Sequence, residues 1–343
     1  MKIIIHILLL LLLFCSSCKD KTIIYKAPEF NNHYQANGKI LNDTVIFSHA
    51  EQLNVVDSLL IMADYRFDKY IYIFNINTGE LLCTSGRKGR GPGELITPTQ
   101  ISINKQTKDL YVHDYGKHKL FCYSIPEILA GSDLPYEEIA LNQALAKQDH
   151  ISFYKDSLFI SHGYNNRLLI ASLGDYKIED NEPYPEIVSP VKDWNLFLQN
   201  WSCSTFDPDR NRYVRATLIG GIMEIFTISN KGVQLEQRHF FYEPLFEKKG
   251  SLYLPVPETV YGFRRLAASK KYIYASMIGQ TNPQSLPKTI YRFDWQGIPV
   301  DCIETPYEIE NFIVSEDDSC IYATVYVEHE QFPAVINLYN GNN

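Results

Sequence analysis

The sequence predicts an all-β protein, a six-bladed β-propeller whose blades are four-stranded antiparallel sheets. Long amphipathic helical patterns are nearly absent, and short apolar runs bounded by Asp, Asn, Gly or Lys recur throughout the 343 residues. A unit of three such runs appears six times, and a fourth run follows most of the units. Together these observations indicate a ring of small sheets.

The repeated unit consists of an apolar strand, a polar turn, a second apolar strand ending in a polar residue, another turn and a third strand. The first unit, LNVVDSLLIMADYRFDKYIYIFNI, begins at Leu53, and the last, ENFIVSEDDSCIYATVYVEHEQFPAVINLY, begins at Glu310. Matching positions of the second strand are Ile61, Tyr111, Phe159, Tyr213, Tyr274 and Tyr322. Their spacing of about 50 residues is that of a propeller blade.

The fourth strand of each blade is visible as a separate run after most units. These runs are GELLCTS from Gly79, PYEEIAL from Pro135, VQLEQRHF from Val233 and PVDCIET from Pro299. The sixth unit ends too close to Asn343 to have one. The segment GKILNDTVIFSHA, before the first unit, is strand-like and has no partner there, so we expect it to complete the last blade. A pair of separate β-sandwich domains is the alternative architecture.

The N-terminus has the pattern of an export signal. The aliphatic run from Ile3 to Phe14 is too short to span a bilayer as a helix, but it fits the apolar region of a secretory signal. Two serines precede Cys18 as in a bacterial lipobox, where the thiol is acylated, for example with palmitate. We therefore expect a lipoprotein signal peptide at 1–17, a tether at 18–37 and the propeller at 38–343. An ordinary signal peptide cleaved nearby is the alternative.

Charge and cysteine content narrow the classes of partner. The net charge of −8 argues against nucleic acid, which is bound by a basic surface. Five cysteines lie beyond the N-terminal segment, at 83, 122, 203, 302 and 320, and no C-x-x-C spacing occurs. This spacing disfavours a zinc cluster. Most of these cysteines have apolar neighbours and are predicted to be buried thiols, with one disulfide in an oxidising compartment as the alternative.

A glycine cluster, GRKGRGPGELITP from Gly86 to Pro98, invites comparison with a phosphate-binding loop. A Walker loop needs Gly-Lys-Ser/Thr before a helix, whereas this stretch leads through Pro98 into a strand. We therefore predict a structural connection between two blades, in which glycine permits positive φ and proline adds stiffness. The structural residues are Gly89, Gly91, Pro92, Gly93 and Glu94. The alternative role belongs to Arg87, Lys88 and Arg90, which could meet an acidic ligand at the rim.

The second unit with its preceding loop resembles the NHL-type propeller repeat. The shared features are the Gly-Pro-Gly-Glu loop, Pro98, an inner strand, the Tyr111–Asp114 strand and Lys119 after the turn. The chain also resembles the six-bladed, TolB-like propeller lipoproteins of envelope-rich anaerobic bacteria, in which a strand like Phe293-Asp294-Trp295 occurs late. The resemblance implies the fold and export more firmly than any activity, because propellers host many functions.

Polar residues at the ends of successive second strands are candidates for chemistry. Asp64, Asp114 and His162 end this strand in the first three units and could form a metal site or an acid/base set in a central channel. The alternative is turn architecture, in which Asp64 pairs with Lys69 and Asp114 with Lys119. Lactonase-like or lyase-like hydrolysis with a divalent metal is the enzymatic hypothesis; otherwise no metal or cofactor is expected.

A binding face is predicted where the second strands end. Three tyrosines follow those strands, Tyr65, Tyr115 and Tyr164, and three longer connections are predicted on the same face at 189–201, 278–288 and 327–332. They contribute Trp194, Trp201 and His329. Exposed tryptophan suits stacking on a sugar or a protein, and a hydrophobic lid is the alternative.

Nucleophile motifs such as Gly-x-Ser-x-Gly and His-Glu-x-x-His do not occur in the sequence. We therefore expect a binding or scaffold module for an envelope protein partner or a glycan. The expected location is the cell envelope, lipid-anchored to a bacterial membrane through Cys18, on the outer membrane or the periplasmic face.

Overall fold

A computed structural model describes residues 23–338, with gaps at 51, 142–144, 147, 156–157, 164–167, 173–177, 183–201, 208, 230–231, 251, 283 and 285. Within these residues the strands form five sheets of four strands, one sheet of five strands and a two-stranded hairpin. The sheets are numbered from first to sixth in the order in which their hairpins occur along the chain.

Each of the first three sheets is a meander of four consecutive antiparallel strands. The first contains β3 (Gln52–Val56), β4 (Leu59–Ala63), β5 (Lys69–Asn75) and β6 (Leu81–Arg87). The second contains β7 (Pro98–Asn104), β8 (Asp109–Asp114), β9 (Lys119–Ser124) and β10 (Glu137–Ala140), with the short helix α1 (Ile125–Leu129) before β10. The third contains β11 (Gln148–Lys155), β12 (Leu158–Gly163), β13 (Leu168–Ser172) and β14 (Ile178–Glu182).

The later sheets repeat this plan, and two N-terminal strands add to the last two. The fourth contains β15 (Ser202–Asp207), β16 (Arg212–Thr217), β17 (Ile222–Ser229) and β18 (Gly232–Phe240), and a hairpin of β19 (Phe246–Lys249) and β20 (Leu252–Pro255) follows it. The fifth contains β21 (Tyr261–Ala268), β22 (Ile273–Gln280), β23 (Thr289–Phe293) and β24 (Pro299–Glu304), with β1 (Asn32–Gln35) beside β24. The sixth contains β25 (Glu308–Val314), β26 (Cys320–Val327) and β27 (Glu330–Asn337), with β2 (Asn37–Ile40) beside β27.

The first strands of the sheets lie side by side around a common centre. β3 contacts β7, β7 contacts β11, β11 contacts β15, β15 contacts β21, β21 contacts β25, and β25 contacts β3. Each sheet therefore runs outward from its first strand, and apolar side chains fill the space between neighbouring sheets. The architecture is an all-β propeller with four-stranded antiparallel blades.

The hydrophobic core between the first and second sheets is built from the side chains that alternate strand residues direct toward the neighbouring sheet. Ile61 and Ile71 of the first sheet share one buried cluster with Leu110, Val112 and Phe121 of the second. All five side chains are fully excluded from solvent. Because successive residues of a strand point to opposite faces, each sheet presents one such row to each neighbour.

The strand predictions agree closely with the structure. All six matching residues lie in second strands, namely β4, β8, β12, β16, β22 and β26. The segment from Gly38 pairs with β27 as expected, since Gly38 lies opposite Ile336. The five cysteines are free thiols, and all but Cys83 are buried.

The longer connection predicted at 327–332 is wrong. β26 continues to Val327 and β27 begins at Glu330, so Glu328 and His329 alone form the turn. Both residues have positive φ, 50° and 74°, as a two-residue hairpin turn of the primed type requires. Two exposed polar residues between long strands were misread as an insertion.

Candidate functional site

A cavity of about 380 Å³ opens between the first and second sheets, where their second strands end. Five lining residues come from the first sheet and the segment before it: His49, Gln52, Ala63, Tyr65 and Tyr70. The other five come from the glycine-rich connection and the start of β7: Lys88, Ile96, Thr97, Pro98 and Thr99. This volume is within the range of ligand pockets, roughly 300–1,000 Å³.

Tyr65 is the aromatic centre of the cavity. Its side chain is 40% exposed, and the His49 ring meets it edge-on with centroids 4.6 Å apart. The Lys88 ammonium lies 5.7 Å from the Tyr65 ring centroid, and the Arg66 guanidinium lies 5.8 Å from it. A hydrogen bond with Tyr65 raises the pKa of Arg66, whose guanidinium is cationic at neutral pH in any case. An exposed aromatic ring thus has two cations within 6 Å of its centroid.

Asp64 holds the first wall of the cavity in place. Its fully buried carboxylate accepts hydrogen bonds from the backbone N–H groups of Ser48 at 2.7 Å and His49 at 2.8 Å. The other oxygen accepts the N–H of Arg66 at 2.8 Å. One carboxylate therefore fixes the segment that carries His49 and the turn that carries Tyr65.

Asp114 does the same for the second wall. Its fully buried carboxylate accepts the N–H groups of Ile96 at 2.6 Å and Thr97 at 3.2 Å, and that of Lys117 at 2.9 Å. Both aspartates thus join the end of a second strand to the connection that precedes the first strand of the same sheet. The sequence analysis selected these two residues as candidate ligands or acids; the structure gives both oxygens of each carboxylate amide partners.

The predicted pairing of these aspartates with lysines is wrong. Lys69 forms its ion pair with Asp133, and Lys119 pairs with Glu138 at 2.6 Å. Lys119 and the N–H of Gly93 lower the pKa of Glu138, chiefly through the Lys119 hydrogen bond. The partners of both lysines thus lie in β10 or in the connection before it. Backbone amides, and not lysines, bond the carboxylates of Asp64 and Asp114.

The glycine-rich connection encloses an anion of its own. Glu94 Oε2 accepts the N–H of Gly91 at 2.7 Å, and a Cβ on Gly89 would overlap this carboxylate. Gly93 has a φ of +72° and donates its N–H to Glu138 at 2.8 Å. Lys117 donates to the carbonyl oxygens of Gly91 at 2.8 Å and Glu94 at 2.5 Å. The amides of Gly91 and Gly93, which could otherwise bind a phosphate, thus bond carboxylates of the protein itself.

The three cations of this connection have different surroundings. Arg87 is 62% exposed in its side chain and lies 3.7 Å from Asp133. Arg90 is exposed, away from the residues that line the cavity. Lys88 alone of the three lines the cavity and contacts Tyr65. The structure therefore joins Tyr65 and Lys88 from the predicted binding face.

The remaining predicted site residues lie elsewhere or outside the described residues. Tyr115 is 46% exposed beside His118, with ring centroids 5.9 Å apart, and His329 lies in the β26–β27 turn. Tyr164, Trp194 and Trp201 lie outside the described residues, as does the side chain of His162. Among the described residues, no group of three or more His, Cys, Asp or Glu side chains could hold a metal ion.

Several lining residues were missed by the sequence analysis, including His49, Gln52, Thr97 and Thr99. They lie just before or at the start of a first strand, whereas the search concentrated on the ends of second strands. In the antiparallel pairing of first and second strands, Gln52 lies opposite Ala63 and Pro98 lies opposite Asp114. The start of each first strand is therefore at the same end of the sheet as the end of the second strand. The strand register predicted from the repeat could therefore have located them.

A search of curated proteins gives no match to the chain. Two solved bacterial structures are similar, each with 11% identity and a TM-score of 0.57: a member of the DUF4221 family from Bacteroides vulgatus, with 89% of this chain and 97% of that chain covered, and a putative exported protein from Bacteroides fragilis, with 90% and 99% covered. U3-55K is similar at 12% identity and a TM-score of 0.54, with 88% and 98% covered.

At these identities the solved structures show a common fold and nothing more. Among the described residues, no helix is long and apolar enough to cross a membrane. The model of the TolB-like 6-blade propeller-like family matches residues 29–317, which is most of the sequence. The chain therefore belongs to the TolB-like 6-blade propeller-like family.

Proposed function

We propose that this protein is an exported, lipid-anchored, six-bladed β-propeller that binds a glycan or a protein partner of the cell envelope. One observation carries the binding function: the cavity beside Tyr65, where an exposed ring, the Lys88 ammonium and several hydroxyl and amide groups converge. Mostly apolar pockets with a few placed polar groups are typical of small-molecule sites.

The rigidity of the cavity walls supports binding as its role. Asp64 and Asp114 hold the backbone on either side of the cavity through buried, charge-assisted hydrogen bonds. Such pre-organisation lowers the entropic cost of ordering side chains around a ligand. Tyrosine contributes a flat face and a polar end, which suits either a sugar ring or a protein side chain.

Two arguments support export and a six-bladed ring. The aliphatic N-terminal run followed by Ser-Ser-Cys18 fits a lipoprotein signal, and one similar structure is described as a putative exported protein. The circular contacts among β3, β7, β11, β15, β21 and β25 favour six blades, the last of them completed by β2. The family description also names six blades.

A glycan array and an envelope pull-down test the binding function with one matched pair of variants. Tyr65→Ala removes the ring inside the cavity, and Tyr115→Ala removes the corresponding exposed tyrosine of the next sheet, outside it. We expect a ligand or partner retained by the wild type and by Tyr115→Ala to be lost by Tyr65→Ala. Equal retention by both variants would show that the cavity is not the binding site.

The proposed anchor is tested separately at Cys18. In the native host, incorporation of labelled palmitate and recovery in the membrane fraction are expected for the wild type and lost in Cys18→Ser. An unlabelled wild-type protein that fractionates with soluble material would contradict lipid anchoring without affecting the binding proposal.

A further inference from the structure

We propose that the ligand of the Tyr65 cavity is an acidic saccharide, a sugar ring that carries a carboxylate such as a hexuronate. This inference rests on the proposed binding function and specifies the ligand class. Lys88 is the partner of the carboxylate, and Tyr65 is the surface against which the sugar ring packs.

The charge of the cavity favours an anion. Among the lining residues that the structure describes, Lys88 is a cation and none is an aspartate or glutamate. Arg66 adds a second cation at the edge of Tyr65, and Asp64 next to it is buried and occupied by backbone amides. On a protein with a net charge of −8, the described lining of this cavity thus carries a cation and no acidic side chain.

Lys88, like Arg90, has no carboxylate partner among the described residues, but of these two cations only Lys88 lines the cavity. Lys69 pairs with Asp133, Lys119 pairs with Glu138, and Arg87 approaches Asp133. The backbone of Lys88 is held firmly, because its N–H donates to Asp68 O at 2.9 Å. A half-buried ammonium on a fixed backbone can form a charge-assisted hydrogen bond with an entering carboxylate.

The remaining groups suit a polyhydroxylated ring rather than a simple anion. Thr97, Thr99 and Gln52 bring hydroxyl and amide groups to the cavity, and Tyr65 offers an aromatic face. The apolar C–H face of a sugar packs on such a ring while its hydroxyls take up the polar groups. Inorganic phosphate would leave the aromatic face without a partner.

The test measures binding of a hexuronate oligosaccharide and of its carboxyl-reduced, neutral counterpart by titration calorimetry. We expect the wild type to prefer the acidic form, with a preference that falls as salt rises. Lys88→Met should weaken binding of the acidic form by roughly tenfold, as expected for loss of a charge-assisted hydrogen bond, and leave the neutral form within about twofold. Lys88→Arg should keep the preference.

Arg90→Met is the matched control, because it removes a cation of the same connection that does not line the cavity. Its affinity for the acidic form should equal that of the wild type. Equal binding of acidic and neutral forms, with loss in Tyr65→Ala, overturns the acidic ligand and keeps the glycan-binding function. Competition by inorganic phosphate as strong as that by the hexuronate also overturns it. Absence of any Tyr65-dependent saccharide binding overturns the saccharide as ligand, and the pull-down then decides whether a protein partner remains.

Discussion

Asp64 and Asp114 show how one residue type solves a recurring problem of this fold. Each sheet must begin near the centre after a connection from the outer edge of the previous sheet, and the amides of that connection need acceptors. A buried aspartate at the end of the second strand supplies them, with a shortest bond of 2.7 Å for Asp64 and 2.6 Å for Asp114. The same residue thereby positions the cavity walls.

Replacing Asp114 by alanine should lower the free energy of unfolding by about 3 kcal/mol or more, because buried amide donors lose a charged acceptor. Asp43→Ala, at an exposed position, is the control and should change stability by less than about 0.5 kcal/mol. Urea denaturation measures both. The hydrolase hypothesis predicts a different result. The wild type would bind a stoichiometric metal, and Asp114→Ala would lose that metal with its stability unchanged.

Gly89 and Glu94 should be energetically coupled, because the Glu94 carboxylate occupies the space that a Cβ on Gly89 would need. Gly89→Ala and Glu94→Ala should each destabilise the protein by about 1–2 kcal/mol. The double variant should be more stable, by about 1 kcal/mol, than the sum of the two single changes in free energy of unfolding predicts. Without the Glu94 carboxylate, the methyl group of alanine at position 89 has the space that it needs. A cycle of Gly89→Ala with Glu80→Ala, whose side chain is exposed, should be additive. An additive first cycle would refute the enclosed carboxylate.

His113 should make stability depend on pH in the acid range. It is 3% exposed, and burial lowers its pKa from 6.5 to about 4, against the opposing effect of Asp114. Below pH 6.5 the unfolded chain binds a proton that the folded chain excludes, so stability falls as the pH falls toward 4. This contribution is up to about 3 kcal/mol.

The difference between His113→Gln and the wild type isolates that contribution from the carboxylates that titrate in the same range. Between pH 7 and pH 4.5, His113→Gln should lose less free energy of unfolding than the wild type. His33→Gln, at an exposed histidine, should follow the wild type. Parallel pH profiles for all three proteins would contradict a buried neutral histidine.

At the residue scale, the sequence predicted where a residue lies in its strand better than it predicted which groups its side chain bonds. The period placed Asp64 and Asp114 correctly at the ends of second strands, but their bonds reach amides 15 to 18 residues upstream. Local spacing suggested the nearer lysines, whose real partners are Asp133, in the connection before β10, and Glu138, within β10. The sequence predicted only that Tyr65 and Lys88 share a face, because the distance between the ammonium and the ring depends on how the two side chains pack.

At the scale of the element, the N-terminal strands join two neighbouring sheets. β1 runs parallel to β24 in the fifth sheet and β2 runs antiparallel to β27 in the sixth, with the buried Ala36 between them. The pairing of β2 was predictable because β27 otherwise had no fourth strand. β1 lies within the segment expected to be a tether, and its polar sequence NHYQ has no strand signature.

Removal of β2 should be more harmful than removal of β1. A chain that begins at residue 36 loses β1 and the Phe30 ring that stacks on Tyr291, whereas one that begins at residue 42 also exposes β27, whose Ala334 and Ile336 are buried. We expect a modest fall in Tm for the first and a large fall, with association through the open edge, for the second. Thermal unfolding and sedimentation velocity measure these effects. A monomeric chain from residue 42 with the Tm of the chain from residue 36 would contradict the role of β2.

At the scale of the whole molecule, free thiols occur in five of the sheets. Cys83 lies in the first, Cys122 in the second, Cys203 in the fourth, Cys302 in the fifth and Cys320 in the sixth. Burial raises the pKa of Cys122 and Cys203 to about 12, so both are unreactive while their sheets are folded. Alkylation of each of the four buried thiols therefore reports when its own sheet opens.

The ring should open as one unit. Because each first strand contacts two neighbours and β25 returns to β3, opening one sheet uncovers two apolar interfaces at once. In a chain that begins at residue 23, pulsed alkylation in urea followed by mass spectrometry should give one common rate for Cys122, Cys203, Cys302 and Cys320. The half-buried Cys83 should react faster without reporting unfolding. The chain from residue 42 lacks β1, which pairs in the fifth sheet, and β2, which pairs in the sixth. In that chain Cys302 of the fifth sheet and Cys320 of the sixth should react before Cys122 and Cys203. Separate rates for the four buried thiols in the chain from residue 23 would show that the sheets open independently, as the stacked units of an open repeat protein do.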